Sequence, residues 1–266
     1  MSDAEILVIL PTLGNRLDTL KQAMESVNRQ RGDVRLRIVV IAPPSAVDAR
    51  SLAHASGAVV VDDCTEGLSE AINRGLAARD GEAFYAWIGD DDLFRPGGLR
   101  ALRALMLAEP AAVLAYGGCE YIDADGRTIA MSNAGPLATL LLAWGPNLIP
   151  HPGTMIRLDA LECIGGFDRH LRYAMDLDVL LKLRRYGRFA WTRTAVSAFR
   201  WHPGSLTVAN RLDSSREAEG VKRRHLPTAL RPLSPLWHYP VRWASAFAAS
   251  RMNSRARTID RSGVSE

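Results

Sequence analysis

Four short apolar segments alternate with helical segments at the start of this 266-residue chain. The apolar segments are residues 5–10, Leu36–Ile41, Ala58–Val61 and Phe84–Ile88. The first is a continuous apolar run, which is typical of a strand buried on both faces of a parallel sheet. The alternation predicts an α/β fold with a Rossmann-like, doubly wound, mostly parallel sheet flanked by helices and linked by right-handed crossovers.

Three consecutive aspartates, Asp90, Asp91 and Asp92, follow the fourth strand, at the sheet edge where such folds bind ligands. Neighbouring carboxylates repel one another, and a hard divalent cation removes that cost. Mg²⁺ or Mn²⁺ takes one or two carboxylates together with phosphate oxygens and water. A bare Asp-Asp-Asp is more often a solvated acidic loop. Its place between a buried strand and a Pro-Gly helix start favours a metal site.

Residues 91–99 read Asp-Asp-Leu-Phe-Arg-Pro-Gly-Gly-Leu and resemble the DxD-type motif of the family 2 inverting glycosyltransferases. The resemblance covers about residues 5–206. It includes Pro11-Thr12 after the first strand, and residues 67–75 are similar to the family's Gly-Leu-Ser-x-Ala-x-Asn-x-Gly. It implies a GT-A type fold that transfers a sugar from a nucleotide-diphosphate-sugar donor to an acceptor hydroxyl with inversion, in polysaccharide biosynthesis.

The resemblance also implies a set of donor and metal contacts. Mg²⁺ or Mn²⁺ is expected on Asp92, Asp90 and His202. The donor is expected against Pro11, Thr12, Asn15, Arg16, Asp63, Asn73, Asp90, Asp91 and Arg200. Asn15 is placed to cap the first helix as well, and Arg200 could hold a phosphate with its forked guanidinium. For His202 the alternatives are a metal ligand, a diphosphate contact or a histidine that satisfies a buried hydrogen bond.

One position departs from the family pattern. Many members have an acidic residue just after the second strand that recognises the nucleotide base, whereas this chain has Ala42-Pro43-Pro44 there. Asp62 or Asp63, after the third strand, could substitute for it.

The turn Gly165-Gly166-Phe167-Asp168 precedes a helix with Asp176 in its first turn. In the family this turn leads to the catalytic base, which corresponds to Asp176. Displacement at the anomeric carbon needs a carboxylate that removes the acceptor proton. The alternative for Asp176 is an interaction with the helix N-terminus alone. Asp168 is expected to be a turn residue, Asp178 to brace the helix, and His151 to line the acceptor side.

Charge separates a C-terminal extension from the rest of the chain. Residues 222–266 contain nine Lys/Arg against Asp260 and Glu266, a net charge of +7, whereas the preceding residues are at −3. We therefore expect a glycosyltransferase domain at 1–224, with a nucleotide-sugar half (about 1–118) and an acceptor half (about 119–224), and a helical extension at 225–266. The extension is rich in basic and aromatic residues. It either lies on an anionic membrane surface or packs on the domain or a second subunit. The acceptor is expected to be a saccharide or a lipid-linked group. The formation of an oligomer is an open alternative.

Several classes are disfavoured. A nucleic-acid partner would need basic residues across a folded face. The three cysteines (Cys64, Cys119, Cys163) have no metal or disulfide spacing, and neither a signal peptide nor an apolar span is evident. A cytoplasmic protein is expected; if the extension lies on a membrane, that contact is at the inner face of the cell membrane. Two alternatives stay open. A sugar nucleotidyltransferase would want a Gly-rich basic loop, and residues 11–16 have one Gly and one Arg. The other is a degenerate GT-A fold that serves as a binding subunit.

Overall fold

The computed structural model describes residues 4–132, 135–201, 210–237, 239–240 and 243. Its first half alternates strands and helices, as the sequence pattern predicts. The elements are β1 (Ile6–Pro11), α1 (Leu17–Asn28), β2 (Leu36–Ala42), α2 (Val47–Ala55), β3 (Val59–Asp62), α3 (Leu68–Ala77) and β4 (Phe84–Trp87). The four strands pair in parallel in the order β3-β2-β1-β4.

The second half of the sheet is mixed. Its elements are β5 (Leu93–Phe94), α4 (Gly98–Ala108), β6 (Ala112–Ile122), β7 (Thr128–Ser132), α5 (Leu137–Leu141), β8 (Thr154–Arg157), α6 (Leu158–Cys163), α7 (Met175–Leu183), β9 (Arg188–Arg200) and α8 (Arg211–His225). Single 3₁₀ turns lie at Arg29–Gly32, His151–Gly153 and Thr228–Leu233. Because β8 pairs antiparallel with both β4 and β6, it joins the two halves. Over the described residues the sheet has the order β3-β2-β1-β4-β8-β6-β9-β5, with β7 beside β6.

Helices cover both faces of the sheet, and each face has its own buried cluster. On one face, α1, α2 and α4 pack on side chains such as Ile6, Val8 and Ile38. On the other face, α3 and α5 to α8 pack on Leu7 and Ile9 and their neighbours. Successive residues of β1 thus point into different clusters, and residues 6–10 are all fully buried. This explains the continuous apolar run.

Several elements differ from the sequence expectation. The apolar run Ala112–Tyr116 predicts a strand of that length, but β6 continues to Ile122, where it turns into the hairpin with β7. The sequence also predicts a strand from about Ala195 to Arg200, whereas β9 begins at Arg188. Both strands are longer because they pair with each other in parallel, across irregular positions that blur a simple periodicity.

The capping role expected for Asn15 is wrong. Helix α1 begins at Leu17, and the residue at its N-cap is Arg16, which makes no side-chain capping bond. The preceding loop is shaped by Thr12, whose Oγ1 accepts the Gly14 N–H at 3.0 Å. Gly14 has a φ of +79°, and this turn places Asn15 one residue ahead of the cap.

The described part of the extension packs on the domain. Leu226 and Ser234 are buried, and Trp237 contacts Trp144 edge-on with ring centroids 5.0 Å apart. Within the described ranges, no helix is long and apolar enough to cross a membrane. For residues 226–237, packing on the domain is therefore observed.

Candidate active site

A cavity of about 460 Å³ lies at the carboxyl ends of β1 and β4. One side is formed by residues that follow these strands, including Pro11 and the aspartates 90–92. The other side comes from the second half of the chain and includes Asn147 and Asp176. The fold thus brings the two carboxylate groups singled out in the sequence to one cavity.

The aspartates following β4 contact the loop that follows β1. Thr12 donates its hydroxyl proton to Asp90 Oδ2 at 2.7 Å. The Arg16 guanidinium donates to Asp91 Oδ2 and lies 3.6 Å from Asp90 Oδ1. Burial raises the pKa of Asp90, partly offset by the Thr12 hydrogen bond. Arg16 therefore interacts with the carboxylates of both Asp90 and Asp91 at the cavity wall.

Asp92 is the most deeply placed of the three carboxylates, with 1% of its surface exposed. Its Oδ1 accepts the Arg200 backbone N–H at 2.9 Å. Burial, together with the neighbouring Asp91, raises the pKa of Asp92 well above its usual range. A cation bound beside it would favour the ionised form and relieve this cost.

Whether a divalent metal fits here depends on how many ligands the chain must supply. Among the described residues, no three His, Cys, Asp or Glu side chains form a ready ligand set. The carboxylates nevertheless fit Mg²⁺ or Mn²⁺, because such ions keep water and phosphate oxygens in their shell. Gly89 keeps the space clear, since a Cβ there would lie 2.9 Å from Asp92 Oδ2 and 3.1 Å from Asp91 Oδ1. The donor set thus fits a metal completed by a diphosphate.

Arg200, the last residue of β9, does not lie where a phosphate contact was expected. The guanidinium of Arg200 donates to three backbone carbonyls, of Asp91, Asp123 and Ala124, at 2.6–3.1 Å and to Gln22 Oε1 at 3.0 Å. Arg200 is buried and absent from the cavity lining. It braces the aspartate loop, and its guanidinium does not face the cavity where the phosphate contact was expected. His202 lies outside the described residues.

Asp176 lies in the first turn of α7 and lines the cavity. Its Oδ2 accepts a hydrogen bond from Asn147 Nδ2 at 3.1 Å. Burial raises its pKa to about 6, against the backbone and Asn147 hydrogen bonds that favour the carboxylate. A carboxylate with such a pKa is ionised at neutral pH and is a stronger base than a free aspartate.

His151 lies between aromatic rings beside this carboxylate region. Its ring is stacked on Trp87, with centroids 4.4 Å apart and an interplanar angle of 6°. The Tyr85 hydroxyl and His151 Nε2 are 3.1 Å apart. Burial lowers the pKa of His151 to about 3, so the imidazole is neutral. His151 lines the cavity as a neutral, rigidly held ring.

The 67–75 motif and the 165–168 turn contact each other through Asn73. Asn73, from the 67–75 motif, donates to the Phe167 carbonyl at 2.7 Å and accepts the Phe167 N–H at 3.0 Å. A Cβ on Gly166 would lie 2.8 Å from Asn73 Oδ1. Ser69 of the same helix donates to the Leu171 carbonyl at 2.9 Å. Asn73 therefore fixes the turn that precedes α7, and it does not line the cavity.

Three other aspartates considered in the sequence analysis, Asp62, Asp63 and Asp168, have partners nearby in the chain or fold. Asp63 is buried after β3, where it accepts the Thr65 N–H at 2.9 Å, and it does not line the cavity. Asp62 pairs with Arg50 at 2.8 Å. Asp168 accepts the His170 N–H within its turn at 3.0 Å, as expected.

The bracing role expected for Asp178 is confirmed. Lys182 Nζ and His225 Nε2 lie at 2.8 and 2.9 Å from its carboxylate. Burial alone would raise the pKa of Asp178, but these hydrogen bonds outweigh it and lower the pKa.

Helix α8 forms part of the cavity wall, which the sequence reading did not foresee. Ser214 and Ala218 line the cavity. Glu217, one residue earlier than Ala218, accepts backbone N–H groups from the segment before α7. The α8 sequence is strongly charged and resembles a solvated helix, so no pattern identified this role.

An aromatic group also lines the cavity. Tyr121 contacts Phe199 and Trp201 edge-on, with ring centroids 6.1 and 6.0 Å apart. These rings meet only because β6 and β9 pair along their whole length. Their proximity could not be predicted without that pairing.

Solved structures of glycosyltransferases share the fold. The S. aureus TarS fragment 1–349 in complex with UDP-GlcNAc is 14% identical, with a TM-score of 0.63 over 85% of this chain and 69% of that chain. The mannosyltransferase PcManGT of Pyrobaculum calidifontis, solved with GDP-Man and Mn²⁺, is 19% identical, with a TM-score of 0.62 over 98% and 79% of the two chains.

Glucosyl-3-phosphoglycerate synthase of Mycobacterium tuberculosis, in complex with Mn²⁺, UDP and phosphoglyceric acid, is 21% identical, with a TM-score of 0.59 over 84% and 78% of the chains. These likenesses show that the fold is of GT-A type, as the sequence motifs predict. No curated protein sequence matches the chain significantly. The sequence model of glycosyl transferase family 2 matches residues 7–165, more than half of the chain. With its fold and the order of its motifs, this chain belongs to glycosyl transferase family 2.

Proposed function

We propose that this transferase moves a sugar from a nucleotide-diphosphate-sugar donor to an acceptor hydroxyl, with inversion, by direct displacement. The observation that carries the proposal is the cavity at the sheet edge, which has Asp90–Asp92 on one side and Asp176 on the other. An inverting transfer needs charge neutralisation at the leaving diphosphate and a base at the acceptor, with no covalent intermediate.

On the donor side, Asp92 and Asp90 would hold Mg²⁺ or Mn²⁺ together with the donor's diphosphate. When bound, such a metal neutralises charge on the leaving diphosphate. Two structural relatives, the mannosyltransferase and the synthase, were solved with Mn²⁺, which supports this assignment. Thr12 orients Asp90, and Arg16 is the cation nearest to the carboxylates. We expect Arg16 to contribute to binding the diphosphate.

On the acceptor side, Asp176 would accept the hydroxyl proton as the hydroxyl attacks. Asn147 holds one carboxylate oxygen, which orients the other for the acceptor. His151, neutral and stacked on Trp87, can exchange a hydrogen bond with the acceptor without adding charge. In this arrangement Asp176 is the base, and the Asp90–Asp92 cluster stabilises the leaving group through the metal.

The acceptor itself is a saccharide or a lipid-linked group, and an extension in contact with an anionic membrane would suit the lipid-linked form. Two exposed apolar side chains of the extension support that contact: Leu236 (71% exposed) and Trp243 (76%). The basic residues of 225–266 would meet lipid headgroups. We propose peripheral contact with an anionic membrane through the extension.

The deciding experiment is a transfer assay over a panel of nucleotide-sugars with Mn²⁺ or Mg²⁺, followed by NMR of the product. An inverted anomer relative to the donor is expected. A retained anomer would refute direct displacement. Specific donor binding without transfer or hydrolysis would instead favour a degenerate fold used as a binding subunit. Family membership already disfavours a sugar nucleotidyltransferase.

A further inference from the structure

One carboxylate of α8 binds three consecutive backbone amides. Glu217 accepts the N–H of Arg172 at 3.0 Å, of Tyr173 at 2.6 Å and of Ala174 at 2.7 Å. Glu217 is about 40 residues away from these amides in the sequence, so this contact depends entirely on tertiary packing. Hydrogen bonds to an ionised acceptor are about twice as strong as neutral ones.

The three amides lead directly into the helix that carries Asp176. Ala174 occupies the N-cap of α7, and its own side chain provides no capping bond. Asp176 is the second residue of that helix. The Glu217 carboxylate therefore fixes the backbone from which the Asp176 side chain projects into the cavity.

A second contact of α8 holds the segment that carries Asn147, the hydrogen-bond donor to Asp176. The buried Lys222 donates to the Gly145 carbonyl. Gly145 lies two residues before Asn147, whose side-chain amide donates to Asp176 Oδ2 at 3.1 Å. Burial lowers the pKa of Lys222 to about 8. Burying a lysine ammonium costs free energy unless it is hydrogen-bonded. We therefore infer that the bond from Lys222 to Gly145 stabilises the segment before Asn147.

We propose that α8 is a positioning element for the general base, in which Glu217 and Lys222 hold the two segments that orient Asp176. The inference rests on the proposed role of Asp176 and adds residues beyond the part of the chain matched by the family. Glu217 and Lys222 are positioning residues, because Ser214 and Ala218 are the α8 residues that line the cavity.

Because Glu217 is charged, its removal should change the pKa of Asp176, an effect that a purely packing role would not have. Glu217 lies near enough to Asp176 to raise its pKa, after the larger effect of burial. Within the described ranges, Asn147 donates to Asp176, and burial together with the Asp176 charge raises the pKa of Tyr85. The Tyr85 hydroxyl is hydrogen-bonded to the neutral His151, and Arg172 and Ser214 line the same cavity. Neutralising Glu217 should therefore make Asp176 easier to ionise.

The test compares Glu217→Gln with Asp213→Asn in the full-length protein. Asp213 is exposed on the same helix, and within the described part of the chain its carboxylate pairs with Arg216 at 3.6 Å. Its variant therefore makes the same charge change without touching α7. We expect Glu217→Gln to lower kcat by roughly 10- to 100-fold, because small misplacements of a catalytic group have effects of that size. The KM for the donor should stay unchanged, and the acidic limb of the kcat profile should move to lower pH.

Lys222→Met, which keeps an unbranched chain of similar length, should also lower kcat without changing the donor KM. Lys21→Met, at an exposed position on α1, is its control and should change neither. If Glu217→Gln folds poorly, Glu217→Asp keeps the charge. It should then retain the wild-type pH limb while kcat falls.

Hydrogen exchange of the 172–174 amides separates this inference from the proposed function, because it requires no turnover. Protection should be high in the wild type and lost in Glu217→Gln. Unchanged protection would overturn the positioning element whatever the protein transfers. Lost protection with wild-type kcat and pH profile would show that Glu217 braces the loop without positioning the base. If the wild type shows no inverting transfer although its 172–174 amides are protected, the result counts against the proposed function and leaves the positioning element intact.

Discussion

At the scale of single residues, the pKa of Asp176 sets a testable pH dependence. Burial raises that pKa to about 6, and a base acts only when it is ionised. With saturating donor and acceptor, kcat should therefore level off above about pH 6 and fall by about tenfold per pH unit well below it. Asp176→Asn should remove this limb and lower kcat by roughly 10²- to 10⁴-fold.

Donor binding should barely change in Asp176→Asn, because the base contacts the acceptor. Asp168→Asn is the matched control, since Asp168 bonds only within its turn and to Arg224 in the described structure. Near-normal turnover of Asp176→Asn would refute its assignment as the base.

A second residue-scale prediction concerns the metal. Asp92→Asn keeps the size of a buried side chain and removes its charge, so diphosphate binding should lose most of its dependence on Mn²⁺ or Mg²⁺. Turnover should fall together with donor affinity, unlike in Asp176→Asn. Calorimetry of nucleoside-diphosphate binding with and without EDTA measures this. Equal wild-type affinities in the two conditions would exclude metal assistance.

The residues that could be predicted from the sequence are those whose role follows from a motif at the end of a strand or the start of a helix. Asp90–Asp92 follow β4 and Asp176 lies in the first turn of α7, and the structure brings these carboxylates to one cavity. Arg200 was expected at the phosphate, yet it turns to backbone carbonyls, because a buried guanidinium bonds the nearest acceptors. Such a choice depends on loops that only the folded chain brings together.

At the scale of elements, the turn before α7 depends on its second glycine. Gly166 has a φ of +70°, and a Cβ there would lie 2.8 Å from Asn73 Oδ1. Gly165 has a φ of +80°, but a Cβ there would meet nothing within 4 Å. Gly166→Ala should therefore cost more than Gly165→Ala, which pays only the left-handed conformation, about 1–2 kcal/mol.

We expect an additional loss of about 1–3 kcal/mol for Gly166→Ala, because Asn73 must give up its bonds to Phe167. Urea unfolding of both variants measures the free energy of unfolding. Equal losses would mean that the Asn73 contact contributes nothing to the turn.

The elements predicted well are those with a clean periodicity. β1 to β4 are apolar runs separated by amphipathic helices, so their order and parallel pairing could be inferred. β5 has two residues, β7 alternates only weakly, and α8 is mostly charged. These three are held by pairing and packing rather than by local preference, and the sequence pattern did not identify them.

At the scale of the whole molecule, the extension provides a test of membrane contact. Replacing Arg251, Arg255, Arg257 and Arg261 with Gln removes four positive charges from residues outside the described part of the chain. Sedimentation with anionic vesicles should fall strongly, because each basic residue near such a surface contributes about 1 kcal/mol. Activity on a soluble acceptor should stay unchanged.

The control replaces Lys21, Arg29, Arg193 and Arg216, which are exposed on the catalytic domain, with Gln. It makes the same charge change and should leave sedimentation nearly intact. Zwitterionic vesicles should bind neither protein. Equal binding of both variants to anionic vesicles would exclude the extension as the contact, and a change in mass by light scattering would point to a subunit interface.

The position of β6 has a consequence for synthesis on the ribosome. Its inner part is flanked by β8 and β9, both of which follow it in the chain, with β9 ending at Arg200. The 78 residues from 123 to 200 take roughly 4–16 s to translate at 5–20 residues per second. During that time a long apolar strand lacks its final neighbours, and unpaired strand edges favour association with other chains. We therefore expect the nascent chain to be prone to association with other chains during this interval of translation.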